Sequence, residues 1–116
     1  MAPRTLADWD KLVPELAPHA LMARLEAARR ALKLSQMAFA SRADITPQHY
    51  TNWKKGGLSG RPSTHHLVAI AKAHGIPMDY ICMGDLSSVR PHALQDEISA
   101  RLRAELHRNI RNKRNT

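Results

Sequence analysis

SQMAFASRADITPQHYTNWKKG, residues 35–56, is the stretch on which the reading of the whole chain turns. Ser35 is a good N-cap for a helix of roughly Gln36 to Ala43, in which Phe39 and Ala40 face inward. Asp44 then occupies a turn whose backbone must pass through the left-handed region, which Asp tolerates better than most residues, and Ile45 plugs under it. Thr46 caps a second helix, and Pro47 takes its first position, where the missing N–H costs nothing. Tyr50 and Trp53, three apart, both face the core, and Gly56-Gly57 stops the helix after Lys54-Lys55. Two short helices, a tight turn and polar groups gathered at the start of the second helix form the arrangement in which that helix enters a DNA major groove.

On the N-terminal side, His19 to about Lys33 is expected to be a long helix with Leu21, Leu25, Ala28 and Leu32 as its inner stripe and Met22 beside it. Arg24, Arg29, Arg30 and Lys33 fall on the remaining faces. Before it, TLADWDKLVPELA (residues 5–17) reads as a short helix capped by Thr5, with Leu6, Trp9, Leu12 and Val13 on one docking face and Pro14 ending it.

On the C-terminal side, the loop GGLSGRPS leads to a helix capped by Ser63 or Thr64 and running to about His74, with Leu67, Ile70 and Ala71 inward and Gly75 as terminator. Ile76-Pro77 starts a short helix, Met78 to Met83, ended by Gly84. Residues 85–90 read as a linker. Pro91 opens a final helix to about Asn109, where Leu94, Ile98, Leu102, Leu106 and Ile110 recur every four residues in a slowly winding stripe before a frayed tail.

The totals agree. The 116 residues suit one small domain, and with 43% hydrophobic but only 4% aromatic residues the core must be built from Leu, Ile, Ala and Met. Strand formers are scarce, so an all-α fold is expected. The net charge of +8 is unevenly placed: residues 19–85 carry +5 and residues 101–116 carry +5, whereas residues 1–18 and 86–100 carry −1 each. Two basic blocks beside such a motif point to phosphate. The single cysteine, Cys82, read as a buried thiol, cannot form a disulfide within the chain. No apolar run reaches the ~18–20 residues of a membrane span, and the N-terminus lacks a signal-like apolar core, so a soluble cytoplasmic protein associated with the nucleoid is expected, with no membrane partner.

The stretch ARLEAARRALKLSQMAFASRADITPQHYTNWKKG, the later HHLVAIAKAHGIPMDYICMGD, and their spacing resemble the Xre/Cro-type helix-turn-helix family of bacterial and phage repressors. The landmarks are Leu34-Ser35-Gln36, Ala40, Ile45, Trp53 and Gly56, with IAKAHGI and MGD further on. The resemblance covers about Leu21 to Asp85. It implies an all-α, five-helix repressor-type domain over residues 19–85, flanked by an N-terminal helical extension (1–18) and a C-terminal basic helix (86–116). By the same resemblance Gln36 bonds a phosphate and braces the recognition helix, and Thr46, Pro47, Gln48, Thr51 and Asn52 lie on the recognition surface. Three residues depart from the family pattern: Asp44 replaces the usual turn glycine, Pro47 leaves only an apolar contact such as a thymine methyl, and Lys54-Lys55 stand where an acidic residue is frequent.

From these readings the expected base contacts are Gln48 first, then Asn52, flanked by Thr51, His49 and Pro47. Gln48 and Asn52 are four apart on one helix face, and each amide can pair with adenine N6/N7. Phosphate contacts are expected from Gln36, Arg42, Thr46, Lys54, Lys55 and Arg61. A dimer on an inverted repeat is expected, with Leu94, Ile98, Leu102 and Leu106 as dimerisation residues and the basic C-terminal helix as an alternative DNA arm. The expected function is a phage- or mobile-element-like transcriptional repressor whose partners are double-stranded DNA and a second copy of itself. The alternative is an antitoxin that also binds a toxin protein. Seven histidines form no metal-ligand or catalytic pattern, so neither enzyme activity nor a metal or other cofactor is expected.

Overall fold

The computed structural model describes Thr5, residues 11–56 and residues 61–114, with side chains as far as residue 108. The expected inner-face residues Leu6 and Trp9, the loop residues 57–60 and the Ile110 side chain lie outside that description. The described residues are all-helical, with no strand among them. A 3-10 turn, Pro14–Leu16, precedes α1 (Pro18–Ala31), α2 (Gln36–Ser41), α3 (Pro47–Lys55), α4 (Thr64–His74), α5 (Met78–Met83) and α6 (His92–Arg114). No described helix is long and apolar enough to cross a membrane.

Local chemistry explains most of the boundaries. Ser35 Oγ accepts the Ala38 N–H (3.1 Å) at the start of α2, and Thr46 Oγ1 accepts the His49 N–H (3.2 Å) at the start of α3. Ser63, rather than Thr64, caps α4, in a reciprocal box: its hydroxyl accepts the His66 N–H while the His66 Nδ1 accepts the Ser63 N–H. Gly75 and Gly84 end α4 and α5 in the left-handed conformation. Asp44 adopts the expected left-handed backbone (φ 57°), and so, without any sequence signal, does Lys33 at the end of α1 (φ 60°).

One core serves the whole molecule. Leu21, Leu25 and Ala28 of α1 pack with Phe39 and Ala40 of α2, Tyr50 and Trp53 of α3, Leu67 and Ile70 of α4, and Tyr80 and Ile81 of α5. Five expectations change here. Residues 85–90 are no linker: Val89 is 1% exposed inside that core, and Asp85 Oδ1 accepts the Ser87 N–H to hold the turn. The tail is not frayed at residue 109, since α6 continues to Arg114. Arg24 is not on an outer face: only 7% of it is exposed. Its Nε donates to the Ile81 carbonyl (2.6 Å) and its Nη2 to the carbonyls of Cys82 (3.1 Å) and Glu15. It thereby satisfies the open carbonyls at the end of α5, where a cation also suits the helix dipole. Burial lowers the pKa of that guanidinium, offset in part by Tyr80 and Cys82. Cys82 is half-buried rather than fully enclosed, and burial pushes its thiol pKa up.

The fifth change concerns α6. Its stripe packs within the same chain, along α1. Ile98 is fully enclosed in the core and Leu94 and Leu102 lean on it, so these three do not form an open dimer seam. Burying one such aliphatic side chain contributes roughly 1.5–3 kcal/mol. Arg30 of α1 pairs with Glu105 of α6 at 3.0 Å, and Arg108 meets the same carboxylate at 3.1 Å. Of the stripe, Leu106 remains 46% exposed. The boundary at residue 86 is therefore not a break in the fold, because Val89 and Ile98 complete the core that Leu25 begins.

Candidate nucleic-acid interface

The turn between α2 and α3 is built from backbone bonds. The Ile45 N–H returns to the Ala40 carbonyl (3.0 Å) while Ile45 itself is buried at 4% exposure, so the side chain anchors the turn as the backbone reverses. Beyond it, Tyr50 (0%) and Trp53 (3%) fix the inner face of α3. The remaining faces carry Thr46, Pro47, Gln48 and His49, all exposed, and Thr51 and Asn52, half-buried. The Gln48 Nε2 donates to Asn52 Oδ1 (3.0 Å), joining the two amides along one face of the helix. The pairing leaves a carbonyl on Gln48 and an NH2 on Asn52, together one acceptor and one donor.

An aromatic row supports this helix from behind. His66 lies 4.9 Å from Trp53, Trp53 5.9 Å from Tyr50, Tyr50 5.7 Å from Phe39, and Phe39 stacks on His74 at 4.3 Å. Since a carbonyl can only accept, the His74 Nε2 carries the proton donated to the Phe39 carbonyl (2.8 Å). His66 also meets His49 edge-on at 6.0 Å. Burial lowers the His66 pKa, and neighbouring His49 and His65 lower it further, which favours the neutral ring that its capping role requires. His66 and His74 sit at the two ends of α4, so α4 braces α2 and α3 at both ends. Neither role was legible in the sequence, where the two were read only as histidines outside any metal-ligand or catalytic pattern.

The strongest polar cluster lies between α1 and α3. Glu26 is 4% exposed, and four donors converge on its two oxygens. Oε2 takes Arg29 Nε (2.5 Å) and the Tyr50 hydroxyl (2.9 Å); Oε1 takes Arg29 Nη2 (3.2 Å) and Lys54 Nζ (2.9 Å). Arg29 Nη1 also donates to the Leu34 carbonyl (2.8 Å), immediately before the cap of α2. Burial pushes the Glu26 carboxyl up, but the hydrogen bonds from Arg29, Lys54 and Tyr50 outweigh it and hold the pKa at about 2. Burial and the adjacent Glu26 carboxylate push the Tyr50 phenol strongly up, keeping it a donor.

The expected phosphate-binding residues divide. Ser35-capped α2 starts at half-buried Gln36; Arg42, Thr46 and Lys55 are exposed, and Arg61 is half-buried. Among the described residues no carboxylate lies within ion-pair reach of Arg42 or Lys55. Lys54 differs, because its ammonium turns inward to Glu26. Among the described residues there is no group of three or more side chains able to hold a metal ion.

A family model described as helix-turn-helix matches residues 25–81, from the middle of α1 into α5. No curated protein and no solved structure matches the chain.

Proposed function

Residues 25–81 belong to the Xre/Cro-type helix-turn-helix family and make the chain a DNA-binding regulator, and we propose that it is a transcriptional repressor reading an inverted-repeat operator as a dimer, with α3 in the major groove. One observation carries this reading. α3 is capped by Thr46 and pinned from behind by buried Tyr50 and Trp53, while Gln48 and Asn52, joined at 3.0 Å, occupy one outward face. The acceptor and donor left on that amide pair match the N6–H and N7 of adenine. Thr51, His49 and Pro47 flank it. Gln36, Arg42, Thr46, Lys55 and Arg61 supply phosphate contacts that set position and affinity but read no sequence.

Each recognition helix covers a few base pairs, so a two-fold dimer with half-sites roughly 34 Å apart is the arrangement that gives a usable operator. Control is then by concentration. An antitoxin role is the weaker reading, because Val89, Leu94, Ile98 and Leu102, within the segment available to a toxin, are packed into the chain's own core. Co-purification of a toxin with the intact chain would reverse that preference.

The experiment is to select duplexes from a random-sequence pool with the intact chain and with Gln48→Ala. The substitution is expected to relax preference at one base pair per half-site, at a cost of about 1–3 kcal/mol for that base. Unchanged affinity and unchanged preference would remove Gln48 from the reading surface.

A further inference from the structure

We propose that Glu26 is the positioning residue of the reading surface, and that Lys54 is the strut through which it acts rather than a phosphate contact. The inference rests on α3 being the helix that reads DNA, and deepens that reading by naming what sets its orientation.

Tyr50 and Lys54 are one turn apart on α3, and both reach the same carboxylate, at 2.9 Å each. Two bonds from one buried anchor on α1 to successive turns of α3 fix how α3 is rotated about its own axis. A helix advances about 100° per residue. Gln48 and Asn52 flank Tyr50 by two residues on either side, so their common face lies opposite the anchored one. A side chain tip stands roughly 5–6 Å from the helix axis, so a 10° rotation of α3 moves the amides by about 1 Å. Hydrogen bonds to a base edge tolerate about half of that. Orientation of α3 is thus coupled directly to base reading, and the Glu26 bonds hold it.

The Lys54 bond also holds one of the two adjacent cations against a carboxylate. Lys54 and Lys55 are adjacent in sequence, but only Lys55 is without a carboxylate partner among the described residues, whereas two-thirds of the Lys54 side chain is covered and its Nζ faces inward. Arg29 extends the anchor to the start of α2 through the Leu34 carbonyl, so one carboxylate registers both helices of the motif against α1.

The test uses the full chain, a duplex recovered with it from a random-sequence pool, and a scrambled duplex of the same composition, with affinities measured across a salt series. Lys54→Met keeps the aliphatic stem. It is expected to cut the preference for the selected duplex about tenfold, within the range of couplings between contacting residues, and to leave the salt slope unchanged. Lys55→Met is expected to weaken both duplexes alike and to reduce the slope by about 1 per protomer. Lys54→Arg retains the bond to Glu26 and restores the preference. Glu26→Gln is expected to lower the preference while raising affinity for the scrambled duplex, because Lys54 is released towards the phosphates. Should that variant fail to fold by circular dichroism, the Lys54→Met and Lys54→Arg pair decides. A slope reduced by about 1 with equal loss on both duplexes in Lys54→Met would make Lys54 a phosphate contact and overturn the proposal. Lys54→Met indistinguishable from the intact chain overturns the strut while leaving the DNA reading intact. An intact chain that enriches no duplex overturns both.

Discussion

Glu26 stays ionised in the folded chain to about pH 2, because donors from Arg29, Lys54 and Tyr50 outweigh the effect of burial. In the unfolded chain a glutamate titrates at about 4.3. A lowered folded pKa contributes stability that is complete above the unfolded value and disappears as the pH falls to the folded one. The window is therefore about pH 4.5 down to pH 2, and the amount on the order of 3 kcal/mol. Thermal melts across that range should show the intact chain losing stability steeply while Glu26→Gln, already weaker at pH 7, changes less; parallel curves would remove Glu26 as the acid-sensitive group. A second residue invites improvement. Lys33 holds a left-handed backbone (φ 60°) at the end of α1, a conformation disfavoured for any residue with a side chain. Lys33→Gly should raise stability by about 0.5–1 kcal/mol, read as an upward shift of several degrees in Tm. A fall in Tm would mean that the entropy gained by the unfolded chain dominates.

The helices differ in how legible they were. The start of α2, both ends of α3 and the ends of α4 and α5 could be read from Ser35, Thr46, Pro47, Gly56, Gly75 and Gly84, because capping and glycine stops act within a few residues of the helix end, whereas α2 ends at Ser41 and not at Ala43. The left-handed turn at Asp44 and the burial of Tyr50 and Trp53 were legible for the same reason. Arg24 and Glu26 were not. A charged residue in an amphipathic pattern reads as solvated, and what buries these two lies 57 residues away at Ile81 and 24 away at Tyr50. That Gln48 and Asn52 share one face followed from their spacing, whereas the bond that joins them did not, and the inward turn of Lys54 needed Glu26 to be known first. The four-residue stripe of α6 was visible, but periodicity says only that a face is covered, not by what. The structure covers Leu94, Ile98 and Leu102 of it within the chain's own core. Ile98→Ala should accordingly cost about 2–5 kcal/mol in chemical denaturation of the chain. A loss below 1 kcal/mol would show that α6 is dispensable to the core.

At the scale of the molecule, the chain occupies 41 × 30 × 28 Å, and α6 is about 34 Å long. Its basic side chains and those of residues 19–85 form two blocks in sequence, and Arg30 and Arg108 from the two blocks share Glu105, one of the ten carboxylates already subtracted in the net +8. Removal of residues 91–116 takes away Ile98, half of the Arg30 ion pair and the helix that covers α1. Such a truncated chain should lose its cooperative unfolding transition and its duplex binding together, as seen by circular dichroism and by gel shift. A truncated chain that melts cooperatively and still binds would return α6 to the status of an appendage.

The pairing of α1 with α6 has a genetic consequence. The segment that presents the reading helix, residues 35–56, is synthesised well before Ile98, yet its scaffold helix is complete only when Ile98 and Glu105 have arrived. A nonsense or frameshift allele interrupting the message between Arg61 and Ile98 leaves a polypeptide with every residue proposed to face DNA but without the helix that covers α1. Such alleles should behave as recessive nulls, and none should act as a dominant-negative fragment competing with the intact protein for its sites.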